Sequence, residues 1–344
     1  MSDFKRENWQ FFTITNPFFV PAFSERFTLI PHEWKQFLLE PFAWSNNITL
    51  LVEEVEDIIN YPHSWDCFDI DTSHENKNPT YQIIQQDTIK NYPQWYHVAI
   101  TNPPYLAKNS ATRRNLNYEY PEYEDLYQKC LEVMLNNTDF VAAIIPESFI
   151  NTKLFINRLY SFVSLTCKMF EDTDCPVCLA LFVPLHLKKD LWINDFEIYQ
   201  MNQKIGNYTD INKKIQLLFS KQNQVHWKFN DKKGEIWIIC IDNTKEQSIK
   251  FINWENIDPY DIKISSRSLT RVSWLPPNIS LETFLLECNH ILKEYRTISS
   301  DIGLTSFKWL RSDGSYRRRL DFYTAKMIMN TACFNLNPTN ISLF

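Results

Sequence analysis

The chain has 344 residues, of which 44% are apolar and 22% charged, so it is a globular protein with one large domain or two ordinary ones. Its net charge of −6 excludes a uniformly basic nucleic-acid-binding protein, and no apolar run of about 18 residues indicates a membrane span. The N-terminus carries no apolar stretch typical of a signal peptide, and eight scattered cysteines favour a reducing, cytoplasmic location.

Short apolar runs alternate with amphipathic stretches between residues 37 and 184, which is typical of βα units stacked on a largely parallel sheet. The spacing of apolar residues predicts helices at 48–59 and 123–135. Strands are predicted at 37–39, 67–70, 81–86, 97–100, 139–145 and 178–183. The first half of the chain is therefore expected to be an α/β domain.

The composition changes after about residue 190, where Asn, Lys and Gln become frequent. A strand is predicted at 235–241, a helix at 281–295 and a basic, aromatic-bearing loop at 307–319. This shift predicts two domains, residues 1–190 and residues 191–344. The segment 265–327 contains ten basic and six acidic residues, so a polyanion is expected to bind to the C-terminal part of the chain.

The tetrapeptide Asn102-Pro103-Pro104-Tyr105 directly follows a predicted strand, and ligands of open α/β sheets bind at the carboxyl ends of strands. Two prolines fix φ and restrict the preceding residue, which fixes the direction of the Asn102 side chain. The Asn102 side-chain oxygen and the Pro103 carbonyl can accept both hydrogens of an exocyclic amine, leaving its lone pair to attack a methyl group. Tyr105 is expected to offer a stacking face to a flipped-out base. The alternative is a diproline turn that only ends a strand.

These residues and their order resemble the amino-methyltransferases, in particular the DNA adenine-N6 methyltransferases of bacterial type II restriction-modification systems, over about residues 10–184. The resemblance implies a Rossmann-like, S-adenosylmethionine-dependent catalytic domain at residues 1–190. It implies a target-recognition domain at residues 191–344 that binds double-stranded DNA. It also implies direct methyl transfer without a metal, and a partner restriction endonuclease that acts on the same DNA site. The catalytic residues that it implies are Asn102, Pro103, Pro104 and Tyr105.

The same resemblance implies where the cofactor binds. Residues 10–13 are similar to the family's N-terminal cofactor segment, and residues 38–43 to its first cofactor motif. Asp69 corresponds to the acidic residue on the ribose hydroxyls, and Asp87 to the one near the cofactor's adenine. Residues 141–149 are similar to a strand and turn typical of these DNA enzymes. The implied cofactor-binding residues are Phe12, Thr13, Glu40, Phe42, Ala43, Asp69, Asp87 and Asn102.

The loop after the first predicted strand departs from the family pattern, because Trp44 and Asn46 stand where glycines are expected. Asn tolerates positive φ, whereas Trp is expected not to, and its bulk is expected to point toward the cofactor. Either the loop bends differently here or cofactor binding is weakened or lost. Two other functions therefore stay open. One is methylation of another amine, such as protein glutamine or RNA adenine; the other is DNA binding on a decayed methyltransferase scaffold.

Three weaker signals complete the sequence. Lys308, Arg311, Arg317, Arg318 and Arg319 flank a predicted turn at Gly314 beside Trp309, and such a loop can bind phosphates and stack on bases; the alternative is a solvated charged loop. The segment 15–18 only echoes the catalytic tetrapeptide and is expected not to be catalytic. Cys175 and Cys178 have metal-ligand spacing without a second pair nearby, so they are expected to be core cysteines.

Overall fold

The computed structural model describes residues 13–55, 60, 62–171, 173–190, 195–253, 255, 268–273 and 278–337, apart from the side chains of Lys189, Asp190 and Lys308. The chain divides into two compact units, residues 1–207 and residues 208–344.

Within the described residues of unit 1, nine strands form one mixed sheet in the order β3-β2-β1-β4-β5-β7-β6-β8-β9. The first five strands in that order run parallel, whereas β7 is antiparallel to both of its neighbours. The order 3-2-1-4-5 is that of doubly wound, Rossmann-type sheets. The strands are β1 (Phe37–Glu40), β2 (Ser64–Asp69), β3 (Ile83–Gln85), β4 (Val98–Thr101), β5 (Phe140–Pro146), β6 (Leu159–Ser164), β7 (Val177–Phe182), β8 (Glu197–Gln200) and β9 (Gln203–Asn207).

The described helices of unit 1 are α1 (Pro21–Thr28), α2 (Asn47–Glu53), α3 (Lys108–Arg113), α4 (Leu126–Asn137) and α5 (Leu185–Asp190), with 3-10 turns at Pro17–Phe19, His32–Gln36 and Glu147–Asn151. Each of the six strands predicted in this region overlaps an observed strand, and the predicted α/β, Rossmann-like fold class is confirmed. The helix predicted at 48–59 begins at Asn47 and is described to Glu53, and residues 56–59 lie outside the described part of the chain.

The centre of the sheet explains why its strands read as continuous apolar runs. Every residue of β5 and of β7 is buried, so both faces of these strands are covered. The edge strand β9 is polar and half-exposed, so it contains no apolar run from which a strand could be predicted. Because β8 and β9 belong to this sheet, it extends beyond residue 190, where the composition changes.

Unit 2 combines a small antiparallel sheet with helices. Among its described residues, the sheet order is β10-β13-β11-β12, and β14 and β15 form a separate hairpin. Apolar side chains of this sheet and of the helices share one core, including Phe251, Phe284, Ile291 and Ile328. The elements are α6 (Tyr208–Leu218), β10 (Lys228–Phe229), β11 (Ile236–Ile239), β12 (Lys250–Asn253), β13 (Leu269–Ser273), α7 (Leu281–Ser299), β14 (Thr305–Leu310), β15 (Tyr316–Arg319) and α8 (Phe322–Leu336).

The segment 307–319 is a β-hairpin and not the loop predicted from its charges. Its strands pair from Thr305–Arg319 to Leu310–Tyr316, with an irregularity between Phe307 and Leu310. The predicted turn at Gly314 is present, with φ of 80°. No helix in the described ranges has the length and apolar character needed to cross a membrane.

Candidate active site

The carboxyl ends of β3, β2, β1 and β4 lie side by side along one edge of the sheet. This edge brings together Asp87 after β3, Asp69 at the end of β2, Glu40 at the end of β1 and Asn102 after β4. Thr13 joins them, because its hydroxyl lies 3.4 Å from Asn102 Nδ2. The sheet therefore assembles most of the residues that the sequence assigns to the site, while Phe12 lies outside the described residues.

Glu40 is fully buried at the end of β1. Its Oε1 accepts hydrogen bonds from the Phe42 amide, at 3.0 Å, and from the Thr101 hydroxyl, whereas Oε2 has no hydrogen-bond partner among the described residues. Burial raises the pKa of Glu40 to about 8, although the two bonds to Oε1 oppose this shift. A buried polar atom without a partner is unfavourable, so Oε2 is a position where a ligand that donates a hydrogen bond or carries positive charge would be stabilised.

The loop after β1 has a left-handed backbone at both positions where the family pattern has glycine. Trp44 has φ of 46° and Asn46 has φ of 60°. Asp69 Oδ2 accepts a hydrogen bond from the Trp44 amide at 2.8 Å, and the Ala43 amide donates to the Phe68 carbonyl at 2.8 Å. The expectation that Trp44 would not take positive φ was therefore wrong, because bonds to β2 hold the backbone in that conformation.

The side chains of Trp44 and Asn46 are both buried. The indole of Trp44 packs edge-on against His74, with ring centroids 5.1 Å apart. The amide of Asn46 donates to the carbonyls of Asn78 and Tyr81, at 3.2 and 3.1 Å. These contacts fasten the loop to the segment between β2 and β3.

The two acidic residues implied to hold the cofactor have protein partners in this structure. Asp69 accepts from the amides of Trp44 and Asp71, both at 2.8 Å. Asp87 accepts from the Ile89 and Lys90 amides, both at 3.2 Å. Asp87 Oδ2 also lies 3.4 Å from Lys90 Nζ, so the protein engages both carboxylates, and a ligand hydroxyl or amino group would share their oxygens with these partners.

In the tetrapeptide 102–105, Asn102 and Pro104 are half-buried, Pro103 is buried and Tyr105 is only 5% exposed. The rings of Tyr127 and Phe170 lie edge-on to Tyr105, with centroid distances of 6.2 and 6.3 Å. The expected open stacking face of Tyr105 is therefore not observed, because neighbouring aromatic residues enclose the ring.

The segment after the tetrapeptide is fixed to the start of α4. Asp125 Oδ1 accepts from the Leu106 amide at 2.9 Å, and the Lys108 amide donates to the Glu124 carbonyl. Burial raises the pKa of Asp125 to about 6, although backbone hydrogen bonds oppose the shift. Sequence analysis missed Asp125 because it falls inside the helix predicted at 123–135, whereas the observed helix begins at Leu126 and Asp125 is its N-cap residue.

The two remaining motifs of unit 1 are the segment 15–18 and the pair Cys175 and Cys178. Asn16 accepts from the Phe18 amide at 2.9 Å and donates to the Leu51 carbonyl at 2.6 Å, so it caps a 3-10 turn. Cys178 is buried within β7, and Cys175 is half-buried. The described residues contain no group of three or more His, Cys, Asp or Glu side chains placed to hold a metal ion.

In unit 2, the arginines of the β14–β15 hairpin meet a buried cluster of carboxylates. Asp242 is fully buried and accepts from Arg296, at 2.8 and 3.0 Å, and from Arg311 at 3.3 Å. Arg296 also binds Asp301 at 2.6 and 2.7 Å. Burial alone would raise the pKa of Asp242, but the hydrogen bonds and positive charge of Arg296, together with backbone hydrogen bonds from Ile249 and Ser248, outweigh burial and lower the pKa.

Two of the five basic residues predicted to bind nucleic acid are thus internal. Arg311 is 8% exposed in the Asp242 cluster, and Arg318 is 2% exposed with a bond to Ser306 at 2.7 Å. Their burial does not favour the predicted DNA contacts, because Asp242 binds Arg311 and Ser306 binds Arg318 within the unit.

The rest of the hairpin is more accessible. Arg317 donates to the Asp242 carbonyl at 2.6 Å, and its guanidinium carbon lies 5.3 Å from the Phe307 ring centroid and 5.8 Å from that of Trp309. Trp309 is 57% exposed and has φ of 68°. Arg319 is half-buried, and the side chain of Lys308 lies outside the described residues.

No protein-family model matches the sequence, and the search of curated proteins gives no match. Among solved structures, the chain is similar to a putative class I S-adenosylmethionine-dependent methyltransferase from Listeria monocytogenes, with 15% identity and a TM-score of 0.34 over 50% of this chain and 62% of that one. It is also similar to a type I restriction-modification methyltransferase subunit from Streptococcus thermophilus, with 14% identity and a TM-score of 0.36 over 62% and 54%. A third similar structure is the type IIG restriction endonuclease BpuSI, with 14% identity and a TM-score of 0.39 over 55% of this chain and 27% of that one. Each of these matches spans less than two thirds of the other chain.

Proposed function

We propose that this protein is a site-specific DNA methyltransferase that transfers a methyl group from S-adenosylmethionine to N6 of adenine. The observation that carries the proposal is the position of Asn102-Pro103-Pro104-Tyr105, at the carboxyl end of β4 beside the buried Glu40 and the Asp69-bound loop. In an open α/β sheet this edge is where ligands bind. Asn102 itself is half-buried at this edge.

The proposed chemistry uses two oxygen acceptors. Asn102 Oδ1 and the Pro103 carbonyl accept the hydrogens of the adenine amino group, so the lone pair of its nitrogen is no longer conjugated with the ring. S-adenosylmethionine supplies a methyl group on a sulfonium, which is electrophilic. The nitrogen–carbon bond forms as the carbon–sulfur bond breaks, and the amine then loses one proton to water. A base inside a duplex cannot reach these acceptors, so the adenine is flipped out.

The residues at the sheet edge fit such a cofactor. Glu40 Oε2 is buried without a hydrogen-bond partner among the described residues, and the carboxylates of Asp69 and Asp87 lie along the same sheet edge. In the proposal, Phe12, Thr13, Phe42, Ala43 and Asn102 complete the set. A cationic ligand favours the ionised form of Glu40, whose pKa burial raises to about 8, so binding near neutral pH is expected to release a proton.

We assign target recognition to unit 2, with double-stranded DNA as the partner. The support is the exposed Trp309, which the Arg317 guanidinium approaches from a basic hairpin. Trp309 is proposed to stack on bases, and Arg317, Arg319 and Lys308 to contact phosphates. A restriction endonuclease acting on the same DNA site is the proposed biological partner.

One observation favours a second function, DNA binding without catalysis. Trp44 fills part of the loop that would approach the cofactor, and the Asp69 carboxylate already binds that loop. Calorimetry with S-adenosylmethionine separates the two functions, because a non-catalytic protein gives no binding heat at millimolar cofactor. Trp44→Gly suits the left-handed backbone at this position, so a gain of cofactor binding in this variant would favour the second function.

The proposed function is tested by expressing the full chain in a methylation-free host and mapping modified adenines across the genome. One methylated sequence motif is expected, and Asn102→Ala should remove it. Asn109→Ala, an exposed asparagine on α3, is the matched control and should leave the mark unchanged. Methylated protein glutamine or RNA adenine, with unmodified DNA, would instead identify another amine as the substrate.

A further inference from the structure

The Asn102 carboxamide lies between two hydroxyl groups. The Tyr105 hydroxyl is 2.6 Å from Asn102 Oδ1, and the Thr13 hydroxyl is 3.4 Å from Asn102 Nδ2. The Tyr105 hydroxyl is also 2.6 Å from the carbonyl oxygen of Ile144 in β5. Both polar ends of the amide are therefore contacted from separate parts of the fold.

Both hydroxyls are themselves fixed in place. Thr13 is 2% exposed, pairs with Phe170 in an isolated β-bridge and accepts a hydrogen bond from Asn47 at its carbonyl. Tyr105 is enclosed by aromatic rings, and burial raises its pKa well above the ordinary value, so the hydroxyl keeps its proton. A buried hydroxyl on a rigid support can hold a partner without losing side-chain entropy of its own.

The Tyr105 hydroxyl carries one proton but lies within hydrogen-bond distance of two acceptors. It can donate to Asn102 Oδ1 or, by rotation of the O–H bond alone, to the Ile144 carbonyl. Because an amide oxygen has two lone pairs, Asn102 Oδ1 can accept an amine hydrogen in either state with no movement of heavy atoms, so the Tyr105 hydroxyl can hold the carboxamide while it binds the amine.

We propose that the hydroxyls of Tyr105 and Thr13 are positioning groups that orient the Asn102 carboxamide, so that Tyr105 contributes through its hydroxyl in addition to its ring. This inference rests on the proposed methyl transfer, because Asn102 is the acceptor for the amine in that reaction. A carboxamide released from these bonds rotates about two side-chain torsions, and a misplacement of about 1 Å at a reacting centre can lower a rate about 100-fold.

The test compares variants of the full chain in methyl transfer from tritiated S-adenosylmethionine to genomic DNA of a methylation-free host. Tyr105→Phe keeps the ring and removes the hydroxyl. It is expected to lower kcat about 10- to 100-fold while KM for DNA and cofactor stays within about twofold. Thr13→Val is expected to lower kcat by a smaller factor and, because Thr13 also belongs to the proposed cofactor-binding set, to raise KM for the cofactor; Thr13→Ser is expected to restore the rate. Tyr92→Phe is the matched control, because it removes another buried hydroxyl bond, to Thr138, and should keep full activity.

A second readout does not depend on activity. The side-chain amide signals of Asn102, identified by their loss in Asn102→Ala, are expected to shift and broaden in Tyr105→Phe and Thr13→Val but not in Tyr92→Phe. Full activity of Tyr105→Phe, or unchanged Asn102 signals, would overturn the positioning role and favour stacking. An inactive wild-type protein would instead count against the proposed function, and the amide signals would still decide whether these hydroxyls hold Asn102.

Discussion

At the carboxyl edge of β1–β4, polar side chains hold loops in place and still leave acceptors that a ligand can use. Glu40 Oε2 has no partner among the described residues, and Asn102 is half-buried. In the β14–β15 hairpin of unit 2, by contrast, Arg311 and Arg318 are buried against partners of their own unit. A buried charged residue with partners inside its own unit stabilises the fold. A buried acceptor atom without a hydrogen-bond partner at the end of a strand instead indicates a ligand-binding position.

The largest expected effect concerns the buried cluster of arginines and carboxylates around Asp242. Asp242→Asn leaves the buried guanidiniums of Arg296 and Arg311 without their shared carboxylate, which should lower the free energy of unfolding by about 3–5 kcal/mol. Because the pKa of Asp242 lies below its ordinary 3.8, its stabilising contribution is complete above that pH and is lost as the pH falls further. Urea denaturation of the wild type and the variant measures both effects.

The matched control is Asp313→Asn, which also removes a carboxylate from Arg311. The Asp313 side chain is 56% exposed, so a loss of no more than about 1 kcal/mol is expected. Equal losses for the two variants would contradict the distinction between internal and exposed pairs.

The next effect concerns the acceptor at the sheet edge. Asn102→Ala removes one of two proposed acceptors and should lower the methylation rate by about 100- to 1,000-fold, the effect of removing one hydrogen-bonding group from a reacting centre. The unfolding midpoint should change little, because Asn102 is only half-buried. Single-turnover transfer of tritiated methyl groups measures the rate, and a variant with more than a tenth of the wild-type rate would argue against Asn102 as an acceptor.

Glu40 gives a pH-dependent effect of opposite sign to that of Asp242. Its pKa is raised from 4.5 to about 8, so between these values the folded state holds a proton that the unfolded state has lost. The free energy of unfolding should therefore fall as the pH rises, by up to about 1.4 kcal/mol per pH unit over this range. Glu40→Gln should abolish that slope. Thermal unfolding from pH 5 to pH 9 measures the difference, with the exposed Glu122→Gln as control; parallel profiles of wild type and Glu40→Gln would contradict a raised pKa.

The last effect concerns DNA binding by the hairpin. Trp309→Ala should weaken duplex binding by about 1–3 kcal/mol if its ring stacks on bases. Trp95→Ala removes an even more exposed indole, at 94%, from unit 1 and should leave affinity unchanged. Fluorescence anisotropy with labelled DNA compares the two, and equal affinities would exclude Trp309 from the interface.

Much of unit 1 was predictable, because fully buried strands such as β5 and β7 read as apolar runs ended by proline. The restricted backbone at Pro103 and Pro104 was equally predictable, because proline acts only on its own residue and the one before it. The positive φ of Trp44 was not, because bonds to β2, formed 25 residues away in the case of Asp69, impose it.

The same limit explains the errors in unit 2. Arg311 lies 69 residues from Asp242, and Arg296 lies 54 residues from it, so no local pattern reveals that these charges meet. The burial of Tyr105 likewise depends on Phe170, which reaches it only after the sheet has formed. Local patterns therefore identified residue types with chemical potential, and the fold decided which of them remain accessible.

The most direct test incubates the purified protein with unmethylated duplex DNA and tritiated S-adenosylmethionine, and identifies the labelled nucleoside by mass spectrometry after digestion. Label in N6-methyladenine, and none with Asn102→Ala, is the result expected from the proposed chemistry. Unlabelled DNA despite measurable cofactor binding, or label that persists in Asn102→Ala, would contradict it.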